Sequence, residues 1–342
     1  MKSIYYNIHG WIKIKISPLS WHLIKPLNCP YSYFESEDHL DPDIDVKIED
    51  FVPNLNGCYL LDHKYFIKKD FIYFEDNDKK LKWKVQIDGL EKDKLRIKYF
   101  PKKWIYVKYP WMFFPDLILH LYILHPLLEV RLFKMGFLIL HAGAVHRNGK
   151  AYIIAGRGGA HKTNFVLELM KKGYDYISDD MIILAGKEVF SFPHSISLFD
   201  FFYRYHGRDE INFMKKIRLF MFLRKTYPSS FKVIDHCPIE RLTLIIPTNR
   251  SDVKIVDGLD LFEILKMLFF NQMMERTSYV SHKTVIGKFF DAYRFIFPES
   301  KFFPEQKEWV NLLLENFGKI PFKVLEIPIK WQSHFIEKLL ID

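Results

Sequence analysis

The sequence predicts a mixed α/β (α+β) chain. A β-rich N-terminal domain over residues 1–108 precedes a strand–loop–helix domain over 109–342. Three observations predict this. The N-terminal part alternates polar and apolar residues with a period of two. From about residue 110, apolar runs at helical spacing interleave with short apolar strands. Between one such strand and one such helix stands a glycine-rich stretch, "GRGGAHKT". The 342 residues, 49% hydrophobic and 27% charged, suffice for one large domain or two smaller ones.

The elements follow in order. "YYNIHGWIKIKI", "GCYLLDHKYFIKKDFIYFEDN", "LKWKVQIDG" and "KLRIKYFPKKWIYVKY" read as strands of a small antiparallel sheet or half-barrel, with turns at "DNDKK" and "IDGLEKDK". The acidic stretch "ESEDHLDPDIDVKIED" reads as a loop. "WMFFPDLILHLYILHPLLEV" reads as a buried helix pair. Its Asp116, His120, His125 and prolines interrupt the apolar run of about 20 residues that a membrane span requires. "FLILHAGAVHRNGKAYIIAG" gives two strands around an "RNGK" turn. "KTNFVLELMKKG" gives a helix closed by Gly173, and "YDYISDDMIILAG" the next strand. "RLTLIIPTNR" and "PFKVLEIPI" read as strands, "DLFEILKMLFFNQM" and "PEQKEWVNLLLENF" as helices, and residues 200–236 as a basic, aromatic insertion.

The formal net charge is +9, which favours an anionic partner such as nucleic acid. Cys29, Cys58 and Cys237 are widely spaced and form no C-x-x-C pair. That argues against a zinc site or a disulfide scaffold and for a reducing, cytoplasmic setting. The N-terminal residues alternate like a strand and lack the apolar run of a signal peptide.

The residues Gly156, Arg157, Gly158, Gly159, Ala160, His161, Lys162 and Thr163 follow the phosphate-loop pattern G-x-x-x-x-G-K-[ST], with histidine in place of the last glycine. A strand before and a helix after supply the context in which backbone N–H groups hold phosphate. Lys162 would meet the β- and γ-phosphates, and Thr163 would ligate Mg²⁺. His161 fits the loop if its φ is negative, and it would then add a donor to phosphate or redirect the loop. Asp179 and Asp180 end the next strand. One suits Mg²⁺, with Asp180 assigned to the metal beside Thr163, and the other suits an acceptor hydroxyl. His141 lies on the strand before the loop strand, placed either to reach the γ-phosphate or acceptor or to sit as a core histidine. His146 reads as a turn residue.

The run "LHAGAV…NGKAYIIAGRGGAHKT…ELMKKGYDYISDD" resembles the catalytic domain of HPr kinase/phosphorylase and its relatives. The resemblance implies a phosphoenolpyruvate-carboxykinase-like core. His141 matches the family's histidine, Lys162 and Thr163 the loop lysine and hydroxyl, and Asp179 and Asp180 the acid pair. It covers residues 115 to 190. His161 departs from the pattern, and no second glycine-rich motif stands where the bifunctional enzymes carry one. The basic chain, the altered loop and the aromatic N-terminal domain are most similar to the archaeal RNA kinases. That resemblance implies a heat-adapted source, ATP or GTP as donor, Mg²⁺ as cofactor, and an internal ribose 2′-hydroxyl in the variable region of tRNA as acceptor.

The basic side chains expected to meet RNA are Lys64, Lys68, Lys69, Lys102 and Lys103 in the first domain, and Arg204, Arg208, Lys215, Lys216, Arg218, Arg224 and Lys225 in the insertion. A protein-serine or small-molecule kinase, and a binding module carrying a relic phosphate loop, are the competing readings.

Overall fold

The computed structural model describes residues 3–18, 31–39, 41–76, 82–101, 118–193, 232–274, 285–303, 305–330 and 336. The fold is mixed α/β with two compact units, Met1–Arg131 with Arg276–Pro304 and Leu132–Glu275 with Glu305–Asp342. Among the described residues the helices are α1 (His125–Lys134), α2 (Lys162–Lys171), α3 (Leu261–Met274), α4 (Val285–Ile296) and α5 (Gln306–Phe317).

The first unit holds β1 (Ile4–Ile8), β2 (Ile12–Ser17), β3 (Glu35–Ser36), β4 (Ile44–Ile48), β5 (Tyr59–Leu61), β6 (Tyr65–Lys68), β7 (Phe71–Asp76), β8 (Trp83–Asp88) and β9 (Leu95–Pro101). They form one nine-stranded sheet in the order β3-β1-β2-β4-β9-β8-β7-β6-β5. Alternation sets its two faces: Ile12, Ile14 and Ile16 are buried while Lys13 and Lys15 turn outward.

The sheet is not wholly antiparallel, and the acidic stretch is not all loop. β4 lies inside it and pairs in parallel with both β2 and β9. Ile44, Val46 and Ile48 are buried, so the strand's period of two is intact. The acids around it masked that period. Asp43 leads into the strand by accepting a hydrogen bond from the Lys13 backbone N–H at 2.8 Å.

The unit boundary lies at 131/132 rather than 108/109, and α4 returns to the first unit from far along the chain. Its Phe289 packs on Tyr65 and Phe74 with ring centroids 5.3 and 4.8 Å apart. No local pattern signals that return. In the expected helix pair, the described part is one helical run, a π-helical turn over Ile118–Leu124 followed by α1. Pro126, which has no N–H to give, sits at the junction. Among the described residues no helix is long and apolar enough to cross a membrane.

The second unit holds β10 (Leu138–Leu140), β11 (Ala142–Arg147), β12 (Lys150–Gly156), β13 (Asp175–Ser178), β14 (Ile182–Ala185), β15 (Glu188–Ser191), β16 (His236–Thr248), β17 (Lys254–Ile255) and β18 (Phe322–Pro328). The path β10-β14-β15-β16-β12-β11-β13 is extended by β18, which pairs with β16 and β17. β16 lies between β12 and β18 and pairs in parallel with both. The β11–β12 hairpin turns on Asn148 (φ 53°) and Gly149 (φ 78°), the geometry an Asn-Gly turn favours. α2 ends in a Schellman motif: the Gly173 N–H donates to Met170 O and the Tyr174 N–H to Leu169 O, with Gly173 at φ 87°. Phe165, Val166 and Leu169 of α2 pack with Val145, Ile154 and Ile245 of the sheet. Each such buried side chain stabilises the unit by roughly 1.5–3 kcal/mol.

Candidate functional site

Strand register gathers the site. In the β11–β12 pair Ala142 faces Ala155, so His141 stands beside the start of the glycine loop at Gly156. In the β11–β13 pair Ala144 faces Ser178, so Asp179 and Asp180 leave β13 at that same end. The loop Gly156–Thr163, His141 and the two aspartates therefore converge at the carboxyl ends of β12 and β13. Open α/β sheets hold ligands in that position.

The loop itself is tight. A Cβ on Gly156 would lie 2.7 Å from the Ile245 carbonyl oxygen, so β16 leaves no room for a side chain there. Gly159 takes φ 83°, and the Ala160 N–H closes a turn onto Arg157 O at 2.9 Å. Arg157, Gly158 and Gly159 are exposed, whereas Ala160 and Lys162 are buried. Lys162 begins α2 and curls under the loop. Its Nζ donates to Gly156 O at 2.7 Å and to Arg157 O at 3.2 Å. Thr163 follows in the first turn, half-buried.

His161 enters the loop without a negative φ. It sits at φ 60°, ψ 20°, the left-handed region that its missing glycine would occupy freely. A non-glycine residue there costs about 1–2 kcal/mol. The imidazole offsets this with two contacts. Its Nε2 lies 2.6 Å from Ile329 O, just past β18, and Asn164 Nδ2 lies 3.3 Å from its Nδ1. A carbonyl only accepts, so Nε2 carries the proton and Nδ1 accepts from the amide. The side chain clamps the loop to the end of a strand that the sequence places far downstream, and its ring N–H is committed there.

Asp179 is only 4% exposed, and its Oδ1 accepts a hydrogen bond of 2.7 Å from the Tyr176 hydroxyl. Burial, reinforced by the charge of Asp179, holds the Tyr176 phenol well above its ordinary range. Gly143 makes the enclosure possible: a Cβ there would lie 2.8 Å from Val166 Cγ2 and 3.5 Å from Asp179 Cα. Asp180 is more open. Its Oδ1 lies 3.7 Å from His141 Nδ1, and its side chain is 33% exposed. The backbone N–H of His141 donates at 3.2 Å to Oε1 of Gln272, a buried side chain in the last turn of α3. His146 braces the hairpin, 2.9 Å from Asp175 Oδ2 and accepting from the Gly149 N–H.

Sequence reasoning passed over Tyr176 and Gln272. Tyr176 reads as one more apolar strand position, and Gln272 reaches His141 only through tertiary contact. The oxygen donors at the site, the Thr163 hydroxyl and the Asp180 carboxylate, suit a hard ion such as Mg²⁺, which takes one or two protein oxygens together with phosphate and water. Among the described residues no group of three or more His, Cys, Asp or Glu side chains is arranged to hold a metal by itself.

Lys64, Lys68 and Lys69 belong to the first unit. Lys64 and Lys69 are exposed. Lys68 is half-buried, with its Nζ 4.7 Å from the Phe71 ring centroid and 3.5 Å from Asn54 O. Lys102, Lys103, Arg204, Arg208, Lys215, Lys216, Arg218, Arg224 and Lys225 lie outside the described residues, as does most of the basic insertion.

Compared with models of known protein families and with curated proteins, the chain matches none.

Proposed function

We propose that this chain is a kinase that moves the γ-phosphoryl group of ATP or GTP onto a hydroxyl, on a second unit of the HPr-kinase-like class. The acceptor we assign is an internal ribose 2′-hydroxyl of tRNA. One observation carries the reading. A glycine loop with a buried lysine, a histidine and an aspartate pair meet at one end of one sheet, brought there by strand register.

The roles follow from the side chains. Backbone N–H groups of the loop and the start of α2 hold the phosphates, and Lys162 turns its ammonium from loop carbonyls toward the transferring group. Asp179, fixed by Tyr176, orients the acceptor hydroxyl and takes its proton. The acceptor oxygen then bonds to the γ-phosphorus as the β–γ bridging bond breaks and the nucleoside diphosphate leaves. Thr163 and Asp180 would hold Mg²⁺, which supplies charge neutralisation on the phosphates. His141, beside Asp180, faces the same end. Catalysis of this kind is mainly positioning and electrostatics.

The net charge of +9 supports a polyanionic acceptor. The test is transfer of labelled γ-phosphate with Mg²⁺, offering total tRNA and total protein in parallel. Label in intact tRNA, lost in Lys162→Ala, is the expected result. Label in a protein or a small molecule would replace the acceptor. No label with either nucleotide would leave a binding module with a relic loop.

A further inference from the structure

The charge on the outward face of the first sheet is unevenly set. β2, β4 and β9 are neighbours. Their inward side chains, from Ile14 to Ile97, are buried core. Their outward positions include Lys13, Lys15, Lys47, Arg96 and Lys98, with Asp45 the one acid on these three strands among the described residues.

The register lines these groups up. Lys15, Asp45 and Arg96 form one rung, and Lys47 and Lys98 face each other on another. Like charges directly opposed across strands destabilise a sheet. Glu49 relieves Lys98 at 3.6 Å. Lys15, Lys47 and Arg96 have no carboxylate in ion-pair reach among the described residues. Lys15 instead lies 5.9 Å from the Tyr5 ring centroid. Lys47 and Arg96 are exposed. Toward β8 the charge is balanced, because Lys84 pairs with Asp50 at 2.6 Å beneath Phe51. Among the described residues, Lys15, Lys47 and Arg96 are cations of β2, β4 and β9 left without such a partner on this face.

We propose that this three-strand face docks the phosphate backbone of RNA through Lys15, Lys47 and Arg96. The strands, about 4.8 Å apart, hold the three cations on two successive outward rungs, and phosphate contacts of this kind position a nucleic acid without reading its sequence. A lipid surface is the poorer match, because none of the large exposed apolar side chains lies on these strands. The proposal takes its partner from the tRNA reading above and is independent of phosphoryl transfer.

The test is fluorescence anisotropy of labelled tRNA with the full chain, without nucleotide, over about 50–200 mM salt. The variants are Lys47→Ala/Arg96→Ala, the charge-keeping Lys47→Arg/Arg96→Lys, and Lys162→Ala. The double alanine variant should keep its melting temperature, bind about tenfold or more weakly, and lose about 1.5 from its log–log salt slope, the amount for two phosphate contacts. The charge-keeping and Lys162→Ala variants should bind like the wild type. Unchanged affinity and slope in the double alanine variant would overturn the proposal. So would a wild-type chain that ignores tRNA, or one that binds anionic phospholipid vesicles in its place. A chain that binds tRNA through this face but transfers no phosphate would sink the kinase reading alone.

Discussion

The Tyr176 hydroxyl and the Asp179 carboxylate meet at 2.7 Å with both side chains buried. The bond holds the Asp179 carboxylate in one orientation. Tyr176→Phe removes one donor from a buried carboxylate and puts nothing in its place. Stability should fall by about 1–3 kcal/mol, read as a lower urea midpoint. The transfer rate should fall at least tenfold with little change in nucleotide KM. Equal loss in kcat and in nucleotide affinity would mean that Tyr176 only supports the fold.

Alkali should unfold this protein by way of its buried hydroxyls and thiol. Burial leads the causes that raise Tyr176, Tyr73 and Tyr293, with carboxylates adding to each, and it pushes the Cys237 thiol up to about 11. Below the unfolded values, about 8.5 for cysteine and 10 for tyrosine, both states keep these protons and the stability is full. Above them the unfolded chain ionises first and binds fewer protons than the native chain, so stability falls as pH rises. Urea midpoints should decline from about pH 9 upward, less steeply in Tyr176→Phe. A flat profile would contradict the burial of these groups.

Local pattern carried much of the fold. Period-two alternation marks β2, β6, β8 and β9, and Asn148-Gly149 marks its hairpin. β4 stayed hidden because Asp41, Asp43, Asp45, Glu49 and Asp50 surround its three buried positions. The glycine loop, His141 and the aspartate pair were visible because each is a short motif, and strand register brings them together. What ties them down was not visible. Gln272 meets His141 across 131 residues, and Ile329 meets His161 across 168. Contacts of that range leave no periodic trace in sequence.

The left-handed His161 separates conformation from contact. His161→Gly relieves a strain of about 1–2 kcal/mol and loses ring contacts of about the same worth, so its melting temperature should stay near wild type. His161→Ala keeps the strain and loses the contacts, and should cost about 1–2 kcal/mol. Glycine and alanine variants of equal stability would contradict the clamp to Ile329.

Three glycines near the loop should rank by what a methyl group meets. Gly156→Ala strikes the Ile245 carbonyl at 2.7 Å, a backbone atom of a central strand, and should be the most damaging. Gly143→Ala meets the Val166 methyl at 2.8 Å and should cost about 1–3 kcal/mol as α2 shifts. Gly158→Ala meets nothing within 4 Å and should leave stability unchanged. Thermal melts of the three variants give the order directly.

The most direct test of the central claim is equilibrium binding of fluorescent ATP and GTP analogues to the full chain, with and without Mg²⁺, in wild type and Lys162→Ala. Saturable, Mg²⁺-dependent binding that disappears in Lys162→Ala while the melting temperature holds is the predicted result. Absence of binding by the wild type, or equal binding by Lys162→Ala, would contradict a nucleotide site at Gly156–Thr163.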